Sequence, residues 1–478
     1  MTIAGRYSEQ AAEEPLLQVP VRADGQLLPA RWWRPRLLPA PSLLLAWALI
    51  VNVGIVNSIV WYVTPPQFRD GLFGHTVGLL YGWGGGDSWG PMTIALNYFE
   101  RHPDQPLYSE LLSRHEAKFQ YPPSALFALM ALRLAGPERI PLSHIPVQVW
   151  PSTTDVVGWV FMAAMIAAVV LLLELRLARD GTAAQTGDWR PLRITLAIAI
   201  ALTFYLALKA FTLGQIQVWI NSAFAIALLL WACGQKHASG IAIGLICLIK
   251  PHYALFLVWA AMRREWQFLT AAGVVFGIGL AAAIAYFGLA NHLDYLSAIS
   301  LIGQHGEAYF PNQSVNGLLN RLVGLGEPEL YNNLLFRYEH FPPFNPIVFW
   351  GTTLTSAALL LLTLLIRPNA RDGDKVWDFS RMALTITIAS PIAWEHHYGI
   401  LLPILAVLLA GCLRHASWLL WLGLGYVLTS NFAPLTFTLA ETVLNPIQSS
   451  VLLAAVIVLT MLYLGPPPAP HSSQRAPP

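Results

Sequence analysis

Leu43-Leu-Leu-Ala-Trp-Ala-Leu-Ile-Val-Asn-Val-Gly-Ile-Val-Asn-Ser-Ile-Val-Trp-Tyr-Val63 is an apolar run that carries no charged side chain. At about 1.5 Å of rise per residue, a helix of that length covers the roughly 30 Å hydrocarbon core of a bilayer. The run continues into Trp61-Tyr-Val-Thr-Pro-Pro66, which has no small-residue cleavage pattern. It therefore reads as a retained span and not as a signal peptide. Of 478 residues, 55% are hydrophobic and 11% charged, where a soluble chain carries about a quarter charged. The chain is accordingly read as an all-α polytopic membrane protein. Its net charge of +2 leaves no footprint for nucleic acid. Cys233, Cys247 and Cys412 lie in or beside apolar segments without paired spacing and read as small buried hydrophobes.

Outward from the first run, further spans are expected at about 151–175, 193–211, 216–232, 239–250, 252–262, 267–288, 346–366, 381–394, 398–411, 416–429 and 447–464, some 12–13 in all. The segment 122–136 is apolar but short, and reads as re-entrant or as a packed hairpin. Breaks at Lys250-Pro251 and at Glu395-His-His-Tyr398 suggest half-helices or tight hairpins, which are tolerated at membrane depth only beside protein or a cavity. Residues 1–42 form a polar, Pro-rich N-terminal tail and residues 466–478 a Pro/Ser-rich C-terminal one, both expected to be disordered and cytoplasmic; residues 43–465 form the membrane domain. Basic residues in short loops set the orientation. Assigning Arg31, Arg34, Arg36, Arg176, Arg179, Arg190, Arg193, Lys236, Arg263, Arg264, Arg367, Arg371, Lys375, Arg381 and Arg414 to the cytoplasm gives a consistent alternation. The opposite face of the cell membrane then receives 64–150, Gly214-Gln-Ile-Gln217, Lys250-Pro-His252, 291–344 and Glu395-His-His397.

Five polar motifs interrupt this apolar background. Tyr81-Gly-Trp-Gly-Gly-Gly-Asp-Ser-Trp-Gly90 sets one carboxylate, Asp87, after three glycines and between Trp83 and Trp89. Such a carboxylate is a candidate base, and indoles are flat platforms for sugars. The bland alternative is a Gly-rich turn with interfacial tryptophans. Lys250 interrupts an apolar run, where an ammonium usually faces a cavity or a partner, or else snorkels as Lys209 is expected to. Asn312-Gln-Ser-Val-Asn-Gly-Leu-Leu-Asn-Arg321 is dense in amides and ends in an arginine suited to phosphate, and it also reads as a capped helix start. The adjacent rings of His396 and His397 would point about a hundred degrees apart on a helix, so they suit hydrogen bonding better than a shared metal. Asp372-Gly-Asp374 has the spacing of a nucleotide-sugar metal motif, but no nucleotide-binding domain surrounds it, and a solvated loop is the better reading.

In order along the chain, the Gly-Asp loop, Phe119-Gln-Tyr-Pro-Pro123, Gly214-Gln-Ile-Gln217, Lys250-Pro251, Asn312-Gln-Ser314 with Gly317 and Arg321, and Ser390-Pro-Ile-Ala-Trp-Glu-His-His397 resemble the family-87 glycosyltransferases over most of residues 43–465. One departure is Gln217, where asparagine is expected; Asn221, one turn later, is placed to substitute. The resemblance implies a GT-C-type helix bundle with its active site at the outer face, to which the basic-residue assignment gives two long extracytoplasmic loops, about 64–150 and 291–344. It implies a hexose, mannose first, carried by a polyprenyl-phosphate donor to a lipid or glycan acceptor, with Asp87 as base and neither cofactor nor metal. Lys250, Arg321, His396, His397, Asn312, Gln313, Gln215, Trp89 and Tyr121 are the residues expected to bind substrate. One carboxylate suits an inverting single displacement. The rival is a transporter or flippase of lipid-linked sugars, which also uses broken helices around polar residues. No internal repeat favours it. A purely structural membrane subunit would leave the polar motifs unexplained.

Overall fold

The computed structural model describes residues 41–64, 72–82, 84–113, 118–135, 152–179, 189–324, 341–367, 375–413, 415–436, 439–440 and 442–465. The two terminal tails (but for residues 41 and 42), Asp372-Gly-Asp374 and Trp83 lie outside them. Residues 39–478 make one compact unit. Among the described residues there is no strand, only an isolated antiparallel bridge between Asn312 and Trp394.

The first apolar run is one helix, α1 (Pro41–Val63), with a π-helical middle over Ile50–Val56. Helices α2 (Leu72–Tyr81), α3 (Trp89–Arg101), α4 (Leu107–Ser113) and α5 (Leu126–Ala135) follow, all within the expected first outer loop. Then come α6 (Thr153–Arg179), α7 (Arg190–Ala201), α8 (Tyr205–Thr212), α9 (Gln217–Ala232), α10 (Lys236–Ile249), α11 (Leu255–Arg263) and α12 (Trp266–Phe287). The chain continues through α13 (Leu289–His305), α14 (Val315–Val323), α15 (Pro346–Leu365), α16 (Lys375–Ala389), α17 (Leu401–Cys412), α18 (Ala416–Leu428) and α19 (Ser450–Leu464). Local signals set several boundaries. Ser152 accepts from the Asp155 N–H at 3.1 Å while the Asp155 carboxylate accepts from the Ser152 N–H at 2.9 Å, which caps the start of α6. Asn345 caps α15, accepting from Ile347 at 2.9 Å.

Among the described residues six helices are long and apolar enough to cross a membrane, or seven if α7 and α8, bent by 50°, count as one span. That count is lower than the 12–13 spans expected. Helices α9, α10, α11 and α18 are apolar but too short to cross alone at about 1.5 Å per residue. The expected span 381–394 begins earlier and stops at Ala389, so Arg381 lies inside α16 and not in a loop. The described part of the expected second outer loop contains two helices, α13 and α14. The segment 122–136 is a 3-10 turn, Pro123–Ala125, leading into α5; Ser124 donates to the Leu248 carbonyl at 2.5 Å. That helix packs with Trp89, Met92, Leu96, Phe119, Ile216 and Phe287 in a second apolar cluster beside the main core.

Four helices, α9, α10, α11 and α16, run between two polar ends. At one end Asp378 accepts from Arg263 Nε at 2.7 Å and from Trp259 Nε1 at 3.0 Å, and is paired with Arg381. Beside it Glu265 pairs with Lys375 at 2.7 Å and with Lys236 at 3.8 Å. Each of these four cations reaches a carboxylate there, two cations to each. The other end of the same helices carries Gln215, Lys250 and the segment after Ala389.

Candidate active site

The carboxylate of Asp87 is placed by two loops that press together. Gly85 and Asp87 donate their backbone N–H groups to the carbonyls of Thr212 and Leu213, at 2.9 and 3.0 Å, and Ser88 donates to Gly214 at 3.3 Å. The approach demands glycine on both sides. A Cβ on Gly85 would meet the Leu213 oxygen at 2.8 Å, and Gly214 has a φ of +68° that L-residues seldom adopt. The turn then aims Gln215 back at Asp87. Gln215 Oε1 accepts from Ser88 Oγ at 2.6 Å and from Tyr121 Oη at 2.9 Å, and these hydroxyls are 2.8 Å apart. With its oxygen engaged, Gln215 points its amide N–H at Asp87 Oδ2 and donates to it. Burial raises the Tyr121 phenol above its ordinary value, so it stays a neutral donor.

A cavity of about 390 Å³ opens beside Asp87. Its polar wall holds Asp87, Lys118, Tyr121, Gln215, Lys250, His252, Trp394, His396 and His397. Its lining also includes the apolar side chains of Leu255, Leu296, Ile299, Ile302, Leu360 and Ile386. Asp87 is the one carboxylate among the described lining residues. Lys250 ends α10 in an extended conformation (φ −130°, ψ 90°), because Pro251 follows and disfavours helix at the residue before it. It is 9% exposed, and its ammonium has no ion-pair or hydrogen-bond partner among the described residues. His397 Nδ1 accepts from the Trp394 N–H at 3.2 Å, which leaves the proton of a neutral ring on Nε2. His396 Nε2 is buried without a partner among the described residues. The two rings stand 4.8 Å apart at 88°. Among the described residues no cluster of three or more metal-ligating side chains occurs.

The structure therefore brings together Asp87, Gln215, Tyr121, Lys250, His396 and His397. It does not bring Arg321, Asn312, Gln313 or Trp89 to the cavity. Arg321, wholly buried, donates to the carbonyls of Ala308, Tyr309 and Asn312 and to Ser449 Oγ at 2.7 Å. Gln313 donates to the Phe310 and Gln448 carbonyls at 2.6 and 2.7 Å and accepts from Val451 and Leu452, which caps α19. Asn312 accepts from the Ala393 N–H at 3.1 Å and donates to the Glu307 carbonyl at 2.8 Å. Ser314 accepts from Gly317 at 3.1 Å, the capped helix start that this stretch also suggested. Trp89 packs against Trp219, ring centroids 5.5 Å apart. Gln217 and Asn221 are bonded to each other at 2.8 Å, and Asn221 reaches the His396 carbonyl at 3.2 Å, so this departure from the family pattern supports the histidines from behind. Sequence reasoning missed Lys118, His252 and Trp394 as wall residues. Lys118 lies directly before Phe119, and His252 and Trp394 lie within stretches that were read, Lys250-Pro-His252 and Ser390 to His397.

The chain is thus a helical multi-pass membrane protein whose cavity is lined by a carboxylate, lysines, histidines and apolar side chains. Residues 119–391 match the profile of Glycosyltransferase family 87. The match covers more than half of the chain, which belongs to that family and is a glycosyltransferase. The chain is 26% identical over 348 residues, 72% of its length and 68% of the relative's, to a polyprenol-phosphate-mannose-dependent α-(1-2)-phosphatidylinositol pentamannoside mannosyltransferase of Mycobacterium tuberculosis. It is 25% identical over 329 residues, 63% of its length and 65% of the relative's, to a polyprenol-phosphate-mannose-dependent α-(1-2)-phosphatidylinositol mannoside mannosyltransferase of Mycolicibacterium smegmatis. No solved structure matches the chain.

Proposed function

We propose that this glycosyltransferase moves a mannosyl residue from a polyprenyl-phosphate donor to a lipid or glycan acceptor, by an inverting single displacement, at the extracytoplasmic face of the cell membrane. The observation that carries the reading is the mixed lining of the cavity: lysines and histidines suited to a phosphate, beside apolar side chains suited to an isoprenoid chain. Asp87 takes the proton of the acceptor hydroxyl as its oxygen attacks the anomeric carbon. The bond to the phosphate oxygen breaks, and the growing negative charge is met by Lys250 and by the N–H groups of His396 and His397. A phosphate leaves readily without a strong general acid, so one carboxylate is enough. Gln215 keeps Asp87 in register through its bond to Oδ2. Neither metal nor cofactor has a step in this scheme, and both chain termini are cytoplasmic in it.

The test is transfer by the purified protein in vesicles, with radiolabelled polyprenyl-phosphate mannose as donor and phosphatidylinositol mannosides and membrane lipid extracts as acceptors. A labelled lipid or glycan is expected. No labelled product with any polyprenyl-phosphate sugar, alongside movement of the donor between leaflets, would contradict the reading in favour of a flippase. The side is read separately. Gln105 is exposed at the cavity end and Arg264 is exposed at the other; Gln105→Cys should react with an impermeant thiol reagent in intact cells and Arg264→Cys only after permeabilisation.

A further inference from the structure

Glu307 and Glu395 are buried carboxylates near the cavity that have no part in this scheme, and Glu307 touches two of the lining side chains. Glu307 is 1% exposed and follows α13. Its side chain pairs with Lys118 and accepts from Trp394 Nε1 at 2.6 Å. Its own backbone is held on both sides, the N–H by Asn316 Oδ1 at 3.1 Å and the carbonyl by Asn312 Nδ2 at 2.8 Å. Three segments distant in sequence thus meet on one carboxylate. Lys118 and Trp394 line the cavity, whereas Glu307 stands behind them. The Lys118 ammonium also lies 4.8 Å from the centroid of the Phe341 ring and 5.7 Å from that of Trp394. A buried ion pair of this kind is costly to desolvate and a poor means of gaining stability. Its effect here is to keep a positive charge at one point of the wall.

We propose that Lys118 is a second cation for the donor phosphate and that Glu307 is the positioning residue that holds the Lys118 ammonium charged at the cavity wall. The proposal rests on the donor reading above. A phosphate entering the cavity would meet two lysines supplied by separate elements, Lys250 from the end of α10 and Lys118 from the turn before α5. Glu307 differs from Asp87 in being screened from the cavity, so it acts only through Lys118 and Trp394. The charged and titratable groups around Lys118 are Glu307 in contact, Asp87 nearby, and Lys250, His252, His396, His397 and Tyr121 on the same cavity. Burial pulls the Lys118 ammonium down to about 7, and Asp87 opposes that fall. Glu307, touching the ammonium, opposes it too. Removing the Glu307 charge therefore lets Lys118 lose its proton at lower pH.

The experiment measures donor dependence of transfer across pH for the full chain and for Lys118→Met, Lys118→Arg and Glu307→Gln. Lys118→Met should raise the donor KM about tenfold or more, with most of the loss restored in Lys118→Arg. Glu307→Gln should raise the donor KM and move the alkaline fall of kcat/KM to lower pH. A merely structural Glu307 would lower kcat evenly and leave the alkaline limb in place, which would overturn the proposal. Should Glu307→Gln fold poorly, the double variant Lys118→Met/Glu307→Gln leaves no unpaired charge and should match Lys118→Met in donor KM. A further rise in the double variant would overturn the proposal. No transfer by the unsubstituted chain overturns the donor reading itself. Normal transfer with an unmoved donor KM in Lys118→Met overturns this proposal alone.

Discussion

The two ends of α9, α10, α11 and α16 treat charge in opposite ways. At one end Asp378 is shared by Arg263 and Arg381, and Glu265 by Lys236 and Lys375, so each of these cations has a carboxylate. At the other end Lys250 has no carboxylate partner among the described residues, and His396 keeps an unpartnered ring nitrogen. Charge held within a membrane protein needs compensation. Where the chain supplies it, the charge holds helices together. Where the chain withholds it, the donor phosphate of the proposed reaction would bring the compensating group.

The comparison can be broken at either end. The largest effect is expected from Asp87→Asn, which keeps shape and removes basicity: transfer should fall by roughly 10²–10⁴ with thermal unfolding unchanged. Near-normal turnover would move the base elsewhere. Asp378→Ala should do the reverse. It strands the Arg263 and Arg381 charges and should cost about 3–5 kcal/mol of stability, seen as a lower unfolding temperature, while the folded fraction keeps its donor KM. A changed donor KM with unchanged stability would erase the distinction between the ends. The smallest effect sharpens the picture of how Asp87 is aimed. Tyr121→Phe removes one hydroxyl from Gln215 Oε1 while Ser88 remains, so transfer should drop about fivefold, the equivalent of about 1 kcal/mol.

The span-forming helices were legible because long uncharged runs have few other fates in a chain this apolar. Helix α13 was not, since Asn291, His292, Asp294 and Gln304 make it read as a polar loop. Those groups are used locally: Asn291 accepts from the Leu107 N–H at 3.0 Å and Asp294 from the Tyr108 N–H at 2.6 Å. In the site, Asp87, Gln215, Tyr121, Lys250, His396 and His397 stood out as polar groups in apolar surroundings, and all six line the cavity. Arg321 stood out for the same reason yet spends its guanidinium on carbonyls, because an arginine near a helix end looks alike in sequence whether it meets a ligand or the backbone. Glu307 and Lys118 were illegible since each lies in an ordinarily polar stretch, and only folding places them against Trp394.

The central claim is that the chain leaves the Lys250 end of its cavity for a lipid phosphate to complete. It is tested most directly by following thermal unfolding of the detergent-solubilised protein while a short-chain polyprenyl phosphate is added. At about 100 times its Kd the ligand should stabilise the unsubstituted chain by about 2.7 kcal/mol. The same concentration should stabilise Lys250→Met far less, and Lys250→Met should be no less stable than the unsubstituted chain when no ligand is present. Equal stabilisation of both proteins, or a ligand-free Lys250→Met that unfolds at a markedly lower temperature, would contradict the account.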